Sequence, residues 1–344
     1  MKIEKFKGKN SFEIGQEFGK IYKKEGYSVD WIKIDKKIFA KQMQIYKKHF
    51  PSFLEEIKGI ANSGNYDLDK LTYSFIAEHV SWEALKNKHL RHACSIFGYK
   101  EGKNLFVGRN YDWIPVTENI FRCEEVINKQ KYSYIAISDM HIIKHYTKPK
   151  YQLYFPIDAI NEKGLFIGLT ASINEDWSFG LPSMHIIKLI AEDCKNVKEA
   201  INIFKQVPLN CAKNFFIADS SGNMAVIEHF SGLDFKVLKP KDNILIKTNH
   251  YNDPKFAKKD MVLKHRPTIT TFLRYYEALM GINTFKDKFK QEDIIKILNN
   301  KDSYLLQNSP NVRSIWTLSL NMTKKKYLLY YDLFGKKKSI KLKI

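Results

Sequence analysis

Apolar and polar positions along the chain follow two rhythms, and the change-over falls near residue 90. Between residues 11 and 90 the apolar side chains recur three and four apart, the spacing of a helix stripe. Ser11 can cap the segment SFEIGQEFGKIYKKEG, and Pro51 stands where the first turn of PSFLEEIKGIANSG begins. Asp67 precedes LDKLTYSFIAEHVSWEAL, in which Leu68, Leu71, Phe75 and Ile76 keep the helical spacing. Asn62-Ser63-Gly64-Asn65 reads as the loop between these last two.

From Ala93 onward the pattern becomes short apolar runs separated by turn residues. SIFGY, KEGKN and LFVGRNYDW read as strand, turn and strand, with Gly102 in the bend. The same form recurs in YFPIDAI–NEKG–LFIGLTASI and NFFIAD–SSGN–MAVIEHF, and KYLLYYDLF reads as a further strand. Two helical stretches, MHIIKLIAEDCKNVKEAINIFKQV and TITTFLRYYEALMG, lie between them, and no tandem repeat is visible. Hairpins with helices against their faces predict an α+β fold.

A chain of 344 residues, 44% of them hydrophobic, can bury a sizeable core in one large or two medium domains. Its four cysteines are scattered and none forms a CxxC, which excludes a disulfide scaffold and a zinc ribbon. No apolar run reaches the roughly 18 residues needed to span a membrane. The opening MKIEKFKGKNSFEIG has lysines but no apolar centre, so the expected location is the cytoplasm.

The net charge of +20 invites a nucleic-acid reading, but only six of the 57 basic residues are arginines. Arginine is the bidentate reader of bases and phosphates, so no nucleic-acid partner is expected. Lysines spread over the whole length read as solvated faces. The rival reading of that charge is a basic binding protein for anionic polymers or membranes.

Chemistry is sought first at Cys94, where the helical region gives way to the first hairpin. A thiol needs a cation or a base to become a thiolate, and a hairpin returns Arg109 and Asp112 beside it. Cys194 and Cys211, in and just beyond a helical stretch, read as packing residues. The histidines show no metal-binding spacing and no glycine-rich phosphate loop is present, so neither a metal nor a cofactor is expected. A Cys/His thiol hydrolase pairing Cys94 with His250 or His229 stays open on residue types alone.

The stretch CSIFGYKEGKNLFVGRNYDW resembles the catalytic hairpin of N-terminal nucleophile (Ntn) hydrolases in the choloylglycine hydrolase and penicillin acyltransferase superfamily. NEKGLFIGL, ADSSGNMAVIE, KTNHY and SIWTLSLNMTKKKYLLYYD follow in that superfamily's order, so the resemblance covers 94–344. The long segment before Cys94, with IGQEFGK, is similar to the acyl-coenzyme A:6-aminopenicillanic acid acyltransferase branch. The resemblance implies a four-layer αββα sandwich over 94–344 and a helical pro-region over 1–93, cut from it but retained. It further implies an enzyme that cleaves or transfers an acyl group at a linear amide, with a small N-acyl amide as substrate.

Carried over residue by residue, Cys94 is the nucleophile and its freed α-amine the base. Asp112 positions that amine, Arg109 sits near thiol and substrate, Asn249 donates to the oxyanion, and Arg274 matches a second motif arginine. Two positions depart from the pattern. Gly168-Leu169-Thr170-Ala171 stands where bile salt hydrolases have GLN, and Ala93 rather than glycine precedes the nucleophile. His92 beside it reads as a loop histidine.

Overall fold

A computed structural model describes residues 3–77, 93–141, 153–172, 177–262 and 270–344. Its centre is the hairpin of β2 (Ser95–Glu101) and β3 (Asn104–Trp113), turned at Gly102 with φ +55°. Glycine enters that left-handed region without steric cost, which fixes the bend where the sequence placed it. β2 and β3 lie in a six-stranded sheet of order β11-β2-β3-β12-β13-β14, completed by β11 (Ile244–Lys247), β12 (Arg313–Asn321), β13 (Lys326–Tyr331) and β14 (Lys338–Leu342).

A second, eight-stranded sheet faces it in the order β1-β4-β5-β6-β7-β8-β9-β10. Its strands are β1 (Ile3–Gly8), β4 (Arg122–Asn128), β5 (Tyr134–His141), β6 (Leu153–Asn161), β7 (Phe166–Ala171), β8 (Lys213–Ala218), β9 (Met224–Ser231) and β10 (Asp234–Leu238). The β6–β7 and β8–β9 hairpins are the ones the turn residues predicted.

Helices cover both outer faces. After the single-turn helix α7 (Pro254–Ala257), α8 (Thr270–Phe285) and α9 (Gln291–Leu298) lie on the six-stranded sheet, where Ala278, Ile282, Ile294 and Ile297 bury Phe97, Tyr99 and Phe106. α5 (Ser183–Asp193) and α6 (Val197–Gln206) lie on the eight-stranded sheet. The order helix, sheet, sheet, helix is the four-layer αββα sandwich.

The long apolar stretch 184–207 reads as one helix in the sequence, yet it is two. Asn196 takes an extended conformation and its side chain accepts the backbone N–H of Glu199, a cap that starts α6 afresh. Cys194 is therefore not inside a helix but in the extended link, still buried.

The N-terminal segment contributes α1 (Ser11–Lys24), α2 (Lys36–His49), α3 (Pro51–Gly64) and α4 (Leu68–Ile76). Asn10, rather than Ser11, caps α1. α1 and α3 pack backbone to backbone through the G-x-x-x-G of IGQEFGK: a Cβ at Gly15 would fall 1.9 Å from the carbonyl oxygen of Glu56. β1, which the periodicity did not reveal, pairs in parallel with β4 along its whole length, from Ile3 with Cys123 to Gly8 with Asn128.

This segment is thus woven into the sheet it precedes. Lys188 of α5 reaches Glu56 of α3 and its own neighbour Glu192, both at 2.8 Å and all three buried. Gln42 of α2 donates to the carbonyl of Gly180 at 3.0 Å. The remainder of the segment predicted as helix after Asp67, from residue 78 on, lies outside the described residues, as does His92. No helix among the described residues is long and apolar enough to cross a membrane.

Candidate active site

Strand alternation and register bring five side chains to one end of the six-stranded sheet. Cys94 immediately precedes β2, and the β2–β3 register pairs Ser95 with Asn110 and Ile96 with Arg109. The thiol of Cys94 donates to the carbonyl oxygen of Asp112 at 3.8 Å. On the other side of β2, β11 pairs Lys247 with Ile96, and continuing that register sets Asn249 opposite Cys94. Arg274 arrives from the second turn of α8.

All five are buried, the arginines completely. Arg109 and Asp112 do not form the surface ion pair their types would allow. They point to opposite faces of β3. Arg109 faces the inter-sheet space and pairs with Asp158 of β6 at 2.7 Å. Asp112 faces α8, and its Oδ1 accepts the hydroxyl of Ser314 at 2.5 Å. Its other oxygen, Oδ2, is buried with no hydrogen-bond partner among the described residues.

Arg274 joins the groups together. Its Nη1 donates to the Cys94 carbonyl at 2.5 Å and to the Ser95 hydroxyl at 3.0 Å, and its Nη2 donates to Asn249 Oδ1 at 2.8 Å. Asn249 Nδ2 donates to the carbonyl of Ala171 at 2.8 Å, and its backbone N–H donates to Thr271 Oγ1 at 2.8 Å. Thr170, at the position of the departed asparagine, donates instead to the Thr248 carbonyl at 2.6 Å.

Burial dominates the electrostatics. It pushes the Cys94 thiol up; Arg109 opposes this, while Asp112 adds to it. It lifts the Asp112 carboxyl to about 7, against the pull of Arg274, the Ser314 hydroxyl and Arg109. It lowers Arg274 to about 10, with Asp112 and Cys94 pulling the other way. Burial is the largest single influence on Arg109 and works against its charge, but Asp158 and Cys94 together outweigh it and the pKa rises.

The two histidines of the alternative reading are placed otherwise. His250 stacks on Phe272, its Nδ1 lies by the hydroxyls of Thr248 and Thr271, and burial with Lys247 and Arg274 lowers it to about 3. His229, lowered to about 4 by burial, has its Nε2 at the Gly232 carbonyl. Neither hydrogen-bonds Cys94 among the described residues. No group of three or more His, Cys, Asp or Glu among the described residues is arranged to hold a metal ion.

Sequence reasoning missed the second rank of this site. Thr248, Ser314 and Trp316 lie within KTNHY and SIWTLSLNMTKKKYLLYYD but were given no role there, and Asp158 and Thr271 carry no motif of their own. The one available signal was a carboxylate, Asp158, in the otherwise apolar strand YFPIDAI, which only a buried partner makes tolerable.

A profile of the acyl-coenzyme A:6-aminopenicillanic acid acyl-transferase family matches residues 99–335, a stretch that includes Arg109, Asp112, Asn249 and Arg274 and begins just after Cys94. Among solved structures, a mutant conjugated bile acid hydrolase from Clostridium perfringens is similar at 13% identity and a TM-score of 0.49, over 73% of this chain and 92% of its own. Penicillin V acylase from Agrobacterium tumefaciens is similar at 14% identity and a TM-score of 0.45, over 72% of this chain and 86% of its own. No curated protein matches the chain in sequence. The profile spans well over half of the chain, which therefore belongs to the acyl-coenzyme A:6-aminopenicillanic acid acyl-transferase family, enzymes of the Ntn hydrolase superfamily that act at amide bonds by acyl transfer.

Proposed function

We propose that the protein matures by cutting its own Ala93–Cys94 bond and then hydrolyses or transfers acyl groups of linear amides through a thioester on Cys94. The observation that carries this reading is the open oxygen of Asp112. Oδ2 is a buried acceptor near Cys94 that has no donor among the described residues. A cut before Cys94 would supply one, since an α-ammonium is both a donor and a countercharge for a carboxyl that burial holds at about 7.

In the uncut chain the nitrogen of Cys94 is an amide and cannot take a proton. The first step is attack of the Cys94 sulphur on the Ala93 carbonyl carbon. The C–N bond breaks, a thioester forms, and the proton passes to the released amine. Water then opens the thioester, leaving a carboxylate on Ala93 and both amine and thiol free on Cys94.

The same groups then serve substrate. The α-amine, titrating near ~8, takes the thiol proton, and the thiolate attacks the amide carbon. An oxyanion develops on the substrate oxygen, where the second N–H of Asn249 Nδ2 is available because Arg274 holds Oδ1 and Ala171 takes only the first. The amine returns its proton to the leaving nitrogen, and water or an acceptor amine resolves the acyl-Cys94 thioester.

Residues 1–93 remain bound after the cut in this account. The contacts of β1 with β4, of Glu56 with Lys188 and of Gln42 with Gly180 join them to the rest without depending on the Ala93–Cys94 bond. Four free cysteines suit a reducing compartment, and we place the enzyme in the cytoplasm. Among the described residues the lysine-rich binding reading has no comparable site, and the two histidines of the Cys/His reading, His229 and His250, make no hydrogen bond to the thiol.

The test is incubation with a panel of N-acyl amides followed by mass spectrometry of the Cys94 peptide. An added acyl mass on Cys94 that disappears on chase is the expected result. Turnover with no acyl adduct on Cys94 under rapid quench contradicts it.

A further inference from the structure

Asp158 stands in the middle of β6, among Phe155, Ile157 and Ala159, and is fully buried between the sheets. A bare carboxylate there would be unfavourable, so its partners define it. Its Oδ1 accepts Arg109 Nε at 2.8 Å, and its Oδ2 lies 2.7 Å from the same nitrogen. Oδ2 also accepts the indole N–H of Trp316 at 2.8 Å.

Space for this carboxylate is provided by Gly168, its register partner on β7: a Cβ at that position would lie 2.4 Å from Asp158 Oδ1. The rest of the guanidinium is fixed as well. Arg109 Nη1 donates to the Asn110 carbonyl at 2.5 Å and Nη2 to the Leu169 carbonyl at 3.0 Å. Extending the β2–β3 register by one residue sets Cys94 opposite Tyr111, on the same face of the sheet as Arg109, and the guanidinium there favours the Cys94 thiolate.

We propose that Asp158 is the positioning residue of the nucleophile: anchored by Trp316 and given room by Gly168, it holds the Arg109 guanidinium against the Cys94 sulphur. This rests on the reading that Cys94 carries the acyl group. A cation held at a thiol favours the thiolate only while its geometry is kept, and arginine has many rotamers to lose. Asp158 also partly neutralises Arg109, so two roles predict opposite signs. If Asp158 positions Arg109, its loss lets the guanidinium drift and the thiol becomes less acidic. If it merely attenuates the arginine, its loss makes the thiol more acidic.

The test is the pH dependence of iodoacetamide alkylation at Cys94 in the full-length protein, read on the Cys94 peptide by mass spectrometry. Asp158→Asn is expected to raise the midpoint by about one unit and slow alkylation at neutral pH about tenfold, with the activity loss falling on kcat. Trp316→Phe, which keeps the ring and the charges, is expected to move the midpoint the same way by less. An unchanged or lowered midpoint in Asp158→Asn overturns the proposal. If that variant does not fold, the same result in Gly168→Ala, whose added methyl displaces the carboxylate, overturns it. Alkylation needs neither turnover nor a cut chain, so failure here is distinct from failure of Cys94 as nucleophile, which an active Cys94→Ala enzyme would reveal.

Discussion

Arg274 holds Asn249 by its oxygen: Nη2 donates to Oδ1 at 2.8 Å, while Nη1 of the same guanidinium donates to the carbonyl of Cys94. An asparagine amide looks nearly the same either way round, and a cationic donor on one end settles which end is oxygen. The NH2 end is thereby aimed away from Arg274. Cys94, which supplies the proposed nucleophile, and Asn249, which supplies the proposed oxyanion donor, are tied to a single rigid group.

Asn249→Ala should lower kcat by about 10²–10³ with a much smaller change in KM, because the lost donor acts mainly in the transition state. Arg274→Met should lower kcat in the same direction by releasing the amide. The double variant should lose far less than the product of the two, since both act through one carboxamide. Steady-state kinetics on all three check this, and independent, multiplicative losses would separate the two residues.

Asp112 should make the uncut protein sensitive to pH in a definite direction. Its carboxyl sits at about 7 in the fold against an ordinary 3.8, so the folded chain binds that proton more tightly than the unfolded one. Such a group contributes fully to stability below its unfolded pKa, and the contribution is lost as pH rises through about 7. In a Cys94→Ala background, urea midpoints at about pH 4.5 and 7.5 should fall with rising pH more steeply with Asp112 than with Asn at that position. Equal slopes would show that Asp112 is not held protonated.

Retention of residues 1–93 should depend on the buried cluster of Glu56, Lys188 and Glu192. Burial lifts Glu56 to about 7 against the pull of Lys188, and Lys188 itself is held well above its ordinary value by Glu192 and Glu56 despite burial. Lys188→Met leaves two carboxylates buried together, a defect of about 3–5 kcal/mol. The expected outcome is a lowered Tm and release of the N-terminal piece on size exclusion of cut protein. Co-elution as tight as wild type would assign retention to the β1–β4 pairing and the Gln42–Gly180 contact alone.

The hairpins were legible because glycine and polar turn residues punctuate alternating runs, and Gly102 sits in the bend those residues implied. The break at Cys194–Asn196 was hidden because the apolar spacing continues through it; only the Asn196 side chain, bonding the backbone of Glu199, marks the restart. β1 escaped because a six-residue lysine-bearing edge strand has no periodicity to read, and its partner β4 is distant in sequence. In the site, Cys94, Arg109 and Asp112 were local to one hairpin and could be read together. Asn249 and Arg274 needed the family pattern to be placed. Asp158 and Trp316 meet Arg109 only through the facing of two sheets, a relationship that no spacing along the chain encodes.

The central claim is that Cys94 becomes an amino terminus, and intact-mass analysis of freshly purified protein under denaturing conditions tests it most directly. The account predicts two polypeptides from the wild type, roughly 11 and 29 kDa by average residue mass, the larger beginning with Cys94. It predicts one uncut, inactive chain from Cys94→Ala, because the same thiol both opens the Ala93–Cys94 bond and attacks substrate. A fully active wild-type enzyme that remains a single polypeptide of 40.4 kDa would contradict it.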